Sequence, residues 1–303
     1  MNTLILLATL LSQQPASAVH FAKELTDFDP QGEIVFQAKP GDWDAKIRER
    51  GWISRENGKY RMWYTGYKDK ESTRLLGTAT SDDGIRWTRD PANPLLKDLW
   101  VEDMMVVKHD GIYHMFAEGK NDVAHRLTSK DGVHWNPEGS LDIRLKNGEK
   151  VPPGAYGTPT VWLEGGLWRL FYERGDKAVW LAASKDMAVW TNVQDEPVLS
   201  PGPEPYDQRM IAMNQIVKRD GRYYALYHGL SIQNPGRWST CLAASDDLIH
   251  WTKYPKNPIV RGEKSSGIFV ETDDGLTLYT MHDVVRRHRP LASEERQPLG
   301  KIR

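Results

Sequence analysis

Short strands that alternate between apolar and polar positions, each introduced by a glycine turn, run through most of this chain. Five copies begin at Gly58, Gly111, Gly166, Gly221 and Gly275. Such alternation is typical of half-buried β-strands, and an apolar stretch before each glycine completes a hairpin. No long helical pattern is evident. The pattern predicts an all-β fold.

Four of the hairpins are followed by the same turn, which reads Ser-x-Asp with a tryptophan four residues after the aspartate. The spacing of these tryptophans is close to the repeat of a propeller blade, about 40–50 residues. In each turn the Asp is expected to cap backbone amides, and the Trp to anchor the outermost strand. The tryptophans of the four turns are Trp87, Trp135, Trp190 and Trp251. The sequence therefore predicts one five-bladed β-propeller over residues 19–303, with four antiparallel strands per blade around a central pocket.

The fifth blade lacks this turn. A short strand at residues 32–37 is expected to complete it and to close the ring, which removes free sheet edges. The charged segment 286–303 carries two prolines and is expected to be a surface extension.

The first eighteen residues read as a signal peptide. An apolar run from Leu4 to Leu11 ends at the small residues Ala16, Ser17 and Ala18, which form a typical cleavage pattern, and the run is too short to span a bilayer. Since Cys241 is the single cysteine, the fold has no internal disulfide. We expect a periplasmic or secreted protein without a membrane span after cleavage.

Charge argues against a nucleic-acid partner. The chain has 40 Lys and Arg against 41 Asp and Glu, so no net field attracts DNA, RNA or an anionic membrane.

Carboxylates from separate blades are predicted to meet at one face of the central channel, where first strands begin and second strands end. Asp44 and Asp207 stand at the same offset before the turn glycines Gly58 and Gly221. Asp103 opens the second blade. For Asp44 and Asp207 the alternative is an ion pair with Lys46, Arg48 or Arg209.

Second-strand ends add Glu118, Glu173, His228 and His282 as candidates. Basic residues near the carboxylates would give the pocket a basic mouth, which suggests an acidic or sulfated sugar. Aromatic neighbours could stack on a sugar ring. The residues predicted to bind substrate are Trp43, Lys46, Arg48, Trp100, Glu102, Tyr156, Thr158, Arg209, His228 and His282.

The blade turns resemble those of five-bladed β-propeller glycoside hydrolases: the arabinosidase and xylosidase group of family 43, the invertase-like enzymes of family 32 and the mannoside phosphorylases of family 130. Segment 245–251 looks like the turn common to these groups. The resemblance implies a carbohydrate substrate. Glycoside cleavage needs an acid and a base or nucleophile on opposite sides of the bond.

Single residues extend this resemblance. Segment 101–103 is similar to the phosphorylase segment with the catalytic Asp, which would map to Asp103, and the family 43 base corresponds best to Asp44. Tyr227-His228-Gly229 resembles a phosphate-binding His-Gly. Family 43 has an acid glutamate before a Gly-Pro on the third blade, but residues 156–159 here read Tyr-Gly-Thr-Pro. The proton then comes from Glu173 or passes through a substrate hydroxyl.

Three functions remain open. The leading hypothesis is an exported glycosidase with Asp44 as base, Asp103 as its partner or acid, and Glu173 and Asp207 as further catalytic candidates. The alternatives are a glycoside phosphorylase that uses His228 and Arg209 on phosphate, and a non-catalytic carbohydrate-binding propeller. No cofactor is expected. Some relatives hold calcium in the channel, but no ligand spacing here indicates a metal.

Overall fold

The computed structural model describes residues 19–48, 50–175, 177–233 and 237–292. These residues form five small sheets arranged as a five-bladed β-propeller, as predicted. The predicted signal peptide lies outside the described residues. Within them, no helix is both long and apolar enough to cross a bilayer.

A short 3-10 helix (Lys23–Leu25) precedes the strands. The strands in chain order are β1 (Glu33–Gln37), β2 (Lys46–Ile47), β3 (Trp52–Glu56), β4 (Lys59–Tyr67), β5 (Leu75–Ser81), β6 (Thr88–Arg89), β7 (Glu102–His109), β8 (Ile112–Gly119), β9 (Val123–Ser129), β10 (Trp135–Ser140), β11 (Asp142–Arg144), β12 (Thr160–Glu164), β13 (Leu167–Glu173), β14 (Val179–Ser184), β15 (Val189–Asn192), β16 (Met210–Arg219), β17 (Arg222–Leu230), β18 (Trp238–Ser245), β19 (Thr252–Lys253), β20 (Ile268–Thr272), β21 (Gly275–Met281) and β22 (Val284–His288).

Blades 1 to 4 comprise β2–β6, β7–β10, β11–β15 and β16–β19, and blade 5 comprises β20–β22 with β1. The innermost strands β3, β7, β12, β16 and β20 contact one another in this order, and β20 closes against β3. Two blades exceed the predicted four strands. In blade 1, β2 pairs with β4 beside β3, and in blade 3, β11 adds a parallel strand to β15.

The N-terminal strand closes the ring, as predicted. In β1, Glu33 pairs with Arg287 and Ile34 with Arg286 of β22. The expectation that residues 286–303 form a surface extension is therefore wrong for the part that belongs to β22. That strand lies between β1 and β21, and its inward positions Val285 and His288 are fully buried, a pattern that the neighbouring arginines obscure in the sequence.

The Ser-x-Asp turns have the capping role predicted for them. In blade 1, the Asp83 carboxylate accepts hydrogen bonds from the backbone amides of Ile85 at 2.9 Å and Arg86 at 2.8 Å. These hydrogen bonds lower the pKa of Asp83 to about 2, and the bond from the Arg86 amide contributes most. Equivalent side-chain caps recur at Asp131, Asp186 and Asp247.

The same turns also join neighbouring blades. The indole Nε1 of Trp63 in blade 1 donates to the carbonyl of Gly132 in the blade 2 turn at 2.8 Å. The Tyr279 hydroxyl in blade 5 donates to the carbonyl of Gly84 in the blade 1 turn at 3.0 Å. Each turn thus gives a polar anchor to an aromatic side chain that is buried in the preceding blade.

Candidate active site

A fully buried arginine lies where the inner strands meet. The guanidinium of Arg50 donates to the carbonyls of Asp103 at 3.0 Å and Pro159 at 2.6 Å, and to the Thr160 hydroxyl at 2.6 Å. Burial lowers the pKa of Arg50 to about 10, while the charges of Asp103 and Glu118 oppose that shift. Arg50 stays protonated at neutral pH and connects blade 1 to blades 2 and 3.

A cavity of about 210 Å³ opens beside these groups. It is smaller than the roughly 300–1,000 Å³ clefts that hold drug-sized ligands, and suits one sugar ring. Its walls include the starts of β7 and β16 and the ends of β8 and β17, the positions at which convergence was predicted. The three carboxyl groups of these walls all belong to blade 2, however, so the prediction that carboxylates from separate blades meet here is wrong for the described lining. The walls comprise Arg48, Asp103, Glu118, Asp122, Thr158, Met210, His228 and Trp238.

Glu118 and Glu173 are held by consecutive amides of the third blade. The Thr158 amide donates to Glu118 Oε2 at 2.9 Å, and the Gly157 amide to Glu173 Oε1 at 2.9 Å. A Cβ on Gly157 would lie 2.0 Å from Glu118 Oε2 and 2.9 Å from Glu173 Oε1. The Gly-Thr segment, which has no carboxylate of its own, therefore brings one in from each of blades 2 and 3.

The surroundings of Glu118 favour its protonated form. It is 5% exposed, and its pKa is raised well above the ordinary value, first by burial and then by the charges of Asp103, Glu102, Asp122 and Glu173. Carboxylates this close cannot all ionise at low cost. Glu118 can therefore carry a proton where a free glutamate would not.

Glu102 has polar partners that hold its ionised form in place. Its Oε2 lies 3.0 Å from Nε of Arg48, and its Oε1 accepts a hydrogen bond from the Trp100 indole at 2.7 Å. Burial raises the pKa of Glu102, while Arg48 and Trp100 oppose the rise. Trp100 thus orients a carboxylate, where a sugar-stacking role was expected.

Carboxylate oxygens of Glu102, Glu118 and Asp122 lie within 4.8 Å of one another. Such an oxygen set is of the kind that hard cations prefer. The guanidinium of Arg48 lies 3.0 Å from Glu102 and offsets part of this negative charge. Glu102, Glu118 and Asp122 are the residues of the cavity region that could hold a cation, a site that the ligand spacing in the sequence did not indicate.

His228 and Trp238 form the blade 4 wall of the cavity. Their rings lie edge to face with centroids 5.0 Å apart. The Asn214 side-chain nitrogen lies 3.1 Å from His228 Nδ1. With the amide as donor, Nδ1 accepts, and the proton of the neutral ring lies on Nε2. Trp238 gives the cavity an aromatic wall.

Asp44 does not reach this cavity, contrary to the prediction. It is fully buried, and its Oδ2 accepts hydrogen bonds from Arg89 Nε at 2.7 Å and the Tyr64 hydroxyl at 3.1 Å. Arg89 belongs to β6, the outermost strand of blade 1, so the carboxylate faces away from the channel. Asp44 is in an ion pair, as the alternative held, but the cation is Arg89 and the alternative's choice of Lys46 or Arg48 is wrong.

Asp207 repeats this arrangement in blade 4. Its Oδ2 accepts from Lys253 Nζ at 2.6 Å and the Tyr227 hydroxyl at 2.9 Å, and its Oδ1 from the Gly202 amide at 3.1 Å. Lys253 lies in β19, the outermost strand. The equal offsets of Asp44 and Asp207 therefore mark a repeated ion pair within blades, and the expectation that both converge on the pocket is wrong.

Other predicted contacts also lie away from the described cavity walls. Trp43 stacks on Tyr64 inside blade 1, with centroids 5.8 Å apart. Lys46 is exposed over the Tyr67 ring, and Arg209 is exposed. The predicted residues that the lining does not include are Trp43, Lys46, Trp100, Glu102, Tyr156, Glu173, Arg209 and His282. His282 instead contacts Ser265 at 3.0 Å and Glu263 at 3.5 Å.

Sequence reasoning missed Arg50, Asp122, Met210 and Trp238, and it treated Glu118 only as a strand-end candidate. Asp122 follows the same strand end as Glu118, and Met210 and Trp238 stand at strand starts. The strand-end rule could have found these. In the sequence, Arg50 is recognisable only as a charged residue beside an apolar strand. That is a weak indication of a residue at the channel centre.

Comparison with known proteins found one similar sequence and many similar folds. No family model matches the chain. A 1,2-β-oligomannan phosphorylase from Thermoanaerobacter sp. (strain X514) is 28% identical over 202 residues, covering 62% of this chain. The match spans 64% of that relative's length.

Solved structures extend the likeness to nearly the whole chain. One belongs to the GH130 family of mannoside phosphorylases, which contains glycoside hydrolases that target β-1,2 mannosidic linkages in Candida mannan (TM-score 0.68, 17% identity, 90% of this chain and 96% of that one). This chain shares the propeller fold of that structure. Others are a β-1,2-mannobiose phosphorylase from Listeria innocua (TM-score 0.64, 15% identity, 87% and 96%) and a glycosyl hydrolase from Bacteroides ovatus (TM-score 0.69, 16% identity, 88% and 94%). These structures confirm the resemblance at the level of the five-bladed propeller fold.

Proposed function

We propose that the protein cleaves a β-mannosidic bond in an oligosaccharide and transfers the released glycosyl unit to water. One observation carries the proposal: Asp103 and Glu118 face one sugar-sized cavity, and the environment of Glu118 favours its protonated form. The mannose preference rests on the relatives, since the phosphorylase that matches in sequence and two of the structural neighbours act on, or belong to families named for, mannosides.

The acid in this proposal is the Asp103–Glu118 pair. Both side chains are at least nine-tenths buried, so a proton on either carboxyl group is shielded from bulk solvent. As the glycosidic bond breaks, the leaving oxygen takes this proton, which is the role that glycoside cleavage requires of a general acid. Asp103 donates directly, as the resemblance implies, and Glu118 sets its protonation.

The proposal assigns no base to the described cavity walls. Asp122 is the exposed carboxylate of the cavity, but its oxygens lie within 4.8 Å of those of Glu118, whereas a base that activates an attacking water lies about 6.5–9.5 Å from the acid. The water that attacks the anomeric carbon therefore releases its proton to solvent, and the products are two sugars with free hydroxyls. Arg48 and Arg50 balance the charge of the remaining carboxylates.

Hydrolysis is preferred to phosphorolysis because of the charge at the walls. Among the described residues, the lining has three carboxyl groups and one guanidinium, and that guanidinium already pairs with Glu102 at 3.0 Å. A phosphate dianion would meet like charges, which cost several kcal/mol at close range. For the same reason we propose a neutral sugar. Of the basic mouth expected from Lys46, Arg48 and Arg209, only Arg48 lines the cavity.

Phosphorolysis is the second candidate. The relative that matches this chain in sequence is a phosphorylase. In addition, Arg48 and His228 both face the central cavity. Both groups can bind phosphate oxygens. In this alternative the product is a sugar 1-phosphate in place of a free sugar.

The deciding experiment incubates the protein with β-1,2-mannobiose, with and without phosphate, and identifies the products. The proposal expects free mannose at a rate that is independent of phosphate. Asp103→Asn is expected to lower the rate by about 10²–10⁴-fold, and the exposed control Asp273→Asn to leave it unchanged. Mannose 1-phosphate as product would favour the second candidate. Binding without cleavage of any β-mannoside would refute both enzymes and leave a carbohydrate-binding propeller.

Export also stays a proposal. It rests on the apolar run and small-residue cleavage pattern of residues 1–18. Mass spectrometry of the protein from a bacterial host is expected to find the chain in the periplasm or medium, beginning at Val19. An intact Met1 end in the cytosol would contradict it.

A further inference from the structure

A second cavity, of about 390 Å³, lies at the turn end of blade 1. It opens where β3 ends and β4 begins, whereas the central cavity opens where first strands start and second strands end. Its volume falls within the roughly 300–1,000 Å³ range of small-ligand clefts. The two cavities share no residue of their described linings. The walls of the second cavity include Ser54, Glu56, Arg61, Thr80, Thr88 and Tyr113.

Four polar side chains form a row across the blade 1 sheet at this cavity. Ser54 of β3 pairs with Arg61 of β4. Arg61 pairs in turn with Thr80 of β5, and Thr80 with Thr88 of β6. Residues directly opposite each other on neighbouring strands share one face of a sheet, so the row presents three hydroxyl groups and one guanidinium together. Within the described chain, none of these three hydroxyl groups has a hydrogen-bond partner.

Arg61 brings a positive charge that has no ion pair with any carboxylate of the described residues. Its side chain is half-buried, and its Nη1 is buried without a hydrogen-bond partner among those residues. The guanidinium lies over the Trp63 ring, 6.0 Å from the centroid. Its Cδ would lie 3.5 Å from a Cβ added to Gly132 of the blade 2 turn. The Arg61 side chain is therefore held between two blades with donors to spare.

The other charged groups of the walls already have partners. Glu56 Oε2 accepts hydrogen bonds from Lys108 Nζ at 2.7 Å and from the Tyr113 hydroxyl at 2.9 Å. The remaining pairs are Lys59 with Asp82 at 3.7 Å and Arg86 with Asp83 at 2.7 Å. The charge left over at these walls is the single positive charge of Arg61, which a ligand with one negative charge would balance.

Blade 3 shows which residue opens this space. Arg169 stands at the same offset from its turn glycine as Arg61, and its Nη1 likewise has no partner among the described residues. Trp162 is paired with Arg169, at the position that Ser54 has in blade 1. A serine fills far less volume than a tryptophan, so blade 1 has room beside its arginine. An unpartnered guanidinium is thus common to both blades, and the cavity with its hydroxyl groups distinguishes blade 1.

A carboxylate attached to a hydroxyl-bearing ring suits these walls. A guanidinium can bind a carboxylate through two parallel hydrogen bonds. Hydroxyl groups both donate and accept, so those of the row can bond to hydroxyl groups of a ligand. A phosphate dianion would carry more charge than Arg61 offsets and would lie near the Glu56 carboxylate, where like charges repel.

We propose that this blade 1 cavity binds a sugar acid, whose carboxylate pairs with Arg61 and whose hydroxyl groups bond to the row of Ser54, Thr80 and Thr88. The cavity lies apart from the central cavity, so the inference does not rest on the proposed function. It gives the propeller a second, non-catalytic contact with an acidic carbohydrate.

The test measures binding of D-glucuronate, D-glucose and inorganic phosphate by calorimetry. Wild type is expected to bind glucuronate, and to bind glucose and phosphate at least about tenfold more weakly. Arg61→Met is expected to weaken glucuronate binding by about tenfold or more, because hydrogen bonds to a charged group are lost. Arg169→Met removes the equivalent arginine of blade 3 and is the matched control, which should keep the wild-type affinity.

Ser54→Trp is a second variant, which keeps Arg61 and introduces the residue that blade 3 has at this position. It is also expected to weaken glucuronate binding by about tenfold or more. No measurable binding of glucuronate to wild type would overturn the site, as would wild-type affinity in both Arg61→Met and Ser54→Trp. Glucose or phosphate bound as tightly as glucuronate would overturn the assignment to a sugar acid. Cleavage is not measured, so the proposed function stands or falls separately.

Discussion

Glu118 of blade 2 accepts two hydrogen bonds from Thr158 of blade 3, at 2.9 Å from the backbone amide and 3.2 Å from the hydroxyl. Thr158 has a backbone φ of 45°, a conformation that is uncommon for a threonine. The neighbouring Gly157 leaves room for the carboxylate. The position of the proposed acid therefore depends on a segment that has no acidic residue.

Gly157→Ala tests this dependence. The added methyl would lie 2.0 Å from Glu118 Oε2, so Glu118 must move. A displacement of about 1 Å at a reacting group can cost about 10²-fold in rate, and overpacking costs about 1–3 kcal/mol of stability. We expect kcat/KM to fall about 100-fold in a protein that still melts cooperatively. Wild-type kcat/KM in this variant would contradict the placement of Glu118.

The pH dependence of stability tests the protonation of Glu118. Its folded pKa is raised, so the folded state binds more protons than the unfolded state. Stability from this group is complete below the ordinary glutamate pKa of 4.5 and is lost as pH rises through the folded pKa.

Glu118→Gln should remove this contribution, because the amide stays neutral. The slope of unfolding free energy against pH above 4.5 is expected to become less negative by up to about 1.4 kcal/mol per pH unit. Urea titrations at several pH values measure it. Identical slopes in wild type and variant would show that Glu118 ionises normally.

Substitutions of Asp44 and Asp103 are expected to change different properties. Asp44→Asn should lower the stability of the protein, whereas Asp103→Asn should lower its turnover. Asp44→Asn leaves Arg89 without its carboxylate, and we expect a loss of about 2–3 kcal/mol. This is less than the roughly 3–5 kcal/mol of a fully buried pair, because 28% of the Arg89 side chain is exposed. At temperatures where the variant is folded, its turnover should remain within about threefold of wild type. A loss as large as that of Asp103→Asn, without loss of stability, would return Asp44 to the mechanism.

Arg50 is expected to be essential for folding. Arg50→Met removes the donors to Asp103, Pro159 and Thr160 and leaves buried acceptors of blades 2 and 3 without partners. A cost of about 3–5 kcal/mol in unfolding free energy is expected. Arg50→Lys keeps the charge but lacks the planar fork, so it should recover only part of this energy. A loss of less than about 1 kcal/mol in the unfolding free energy of Arg50→Met would mean that the channel centre tolerates an apolar side chain.

The sequence predicts the fold well because its signals are local. A glycine, a strand and a Ser-x-Asp turn lie within a few tens of residues, and the Asp83 cap uses amides two and three residues away. The repeat of such units implies a ring. The exception is β22, whose arginines suggest solvent although Val285 and His288 are buried.

The site was harder to predict because its contacts join distant segments. Asp44 meets Arg89, 45 residues later, and Glu118 meets Thr158, 40 residues later. Equal offsets showed that Asp44 and Asp207 are equivalent, but not that each faces an outer strand. Asp103 could be placed because it stands at the start of an innermost strand.

The most direct test of the account is a crystal structure of Asp103→Asn with β-1,2-mannobiose. The account predicts that one sugar ring of the disaccharide occupies the cavity between Arg48 and Trp238, with the glycosidic oxygen within hydrogen-bond distance of the residue 103 side chain. A disaccharide bound elsewhere, or one whose glycosidic oxygen is out of reach of both residue 103 and Glu118, would contradict it.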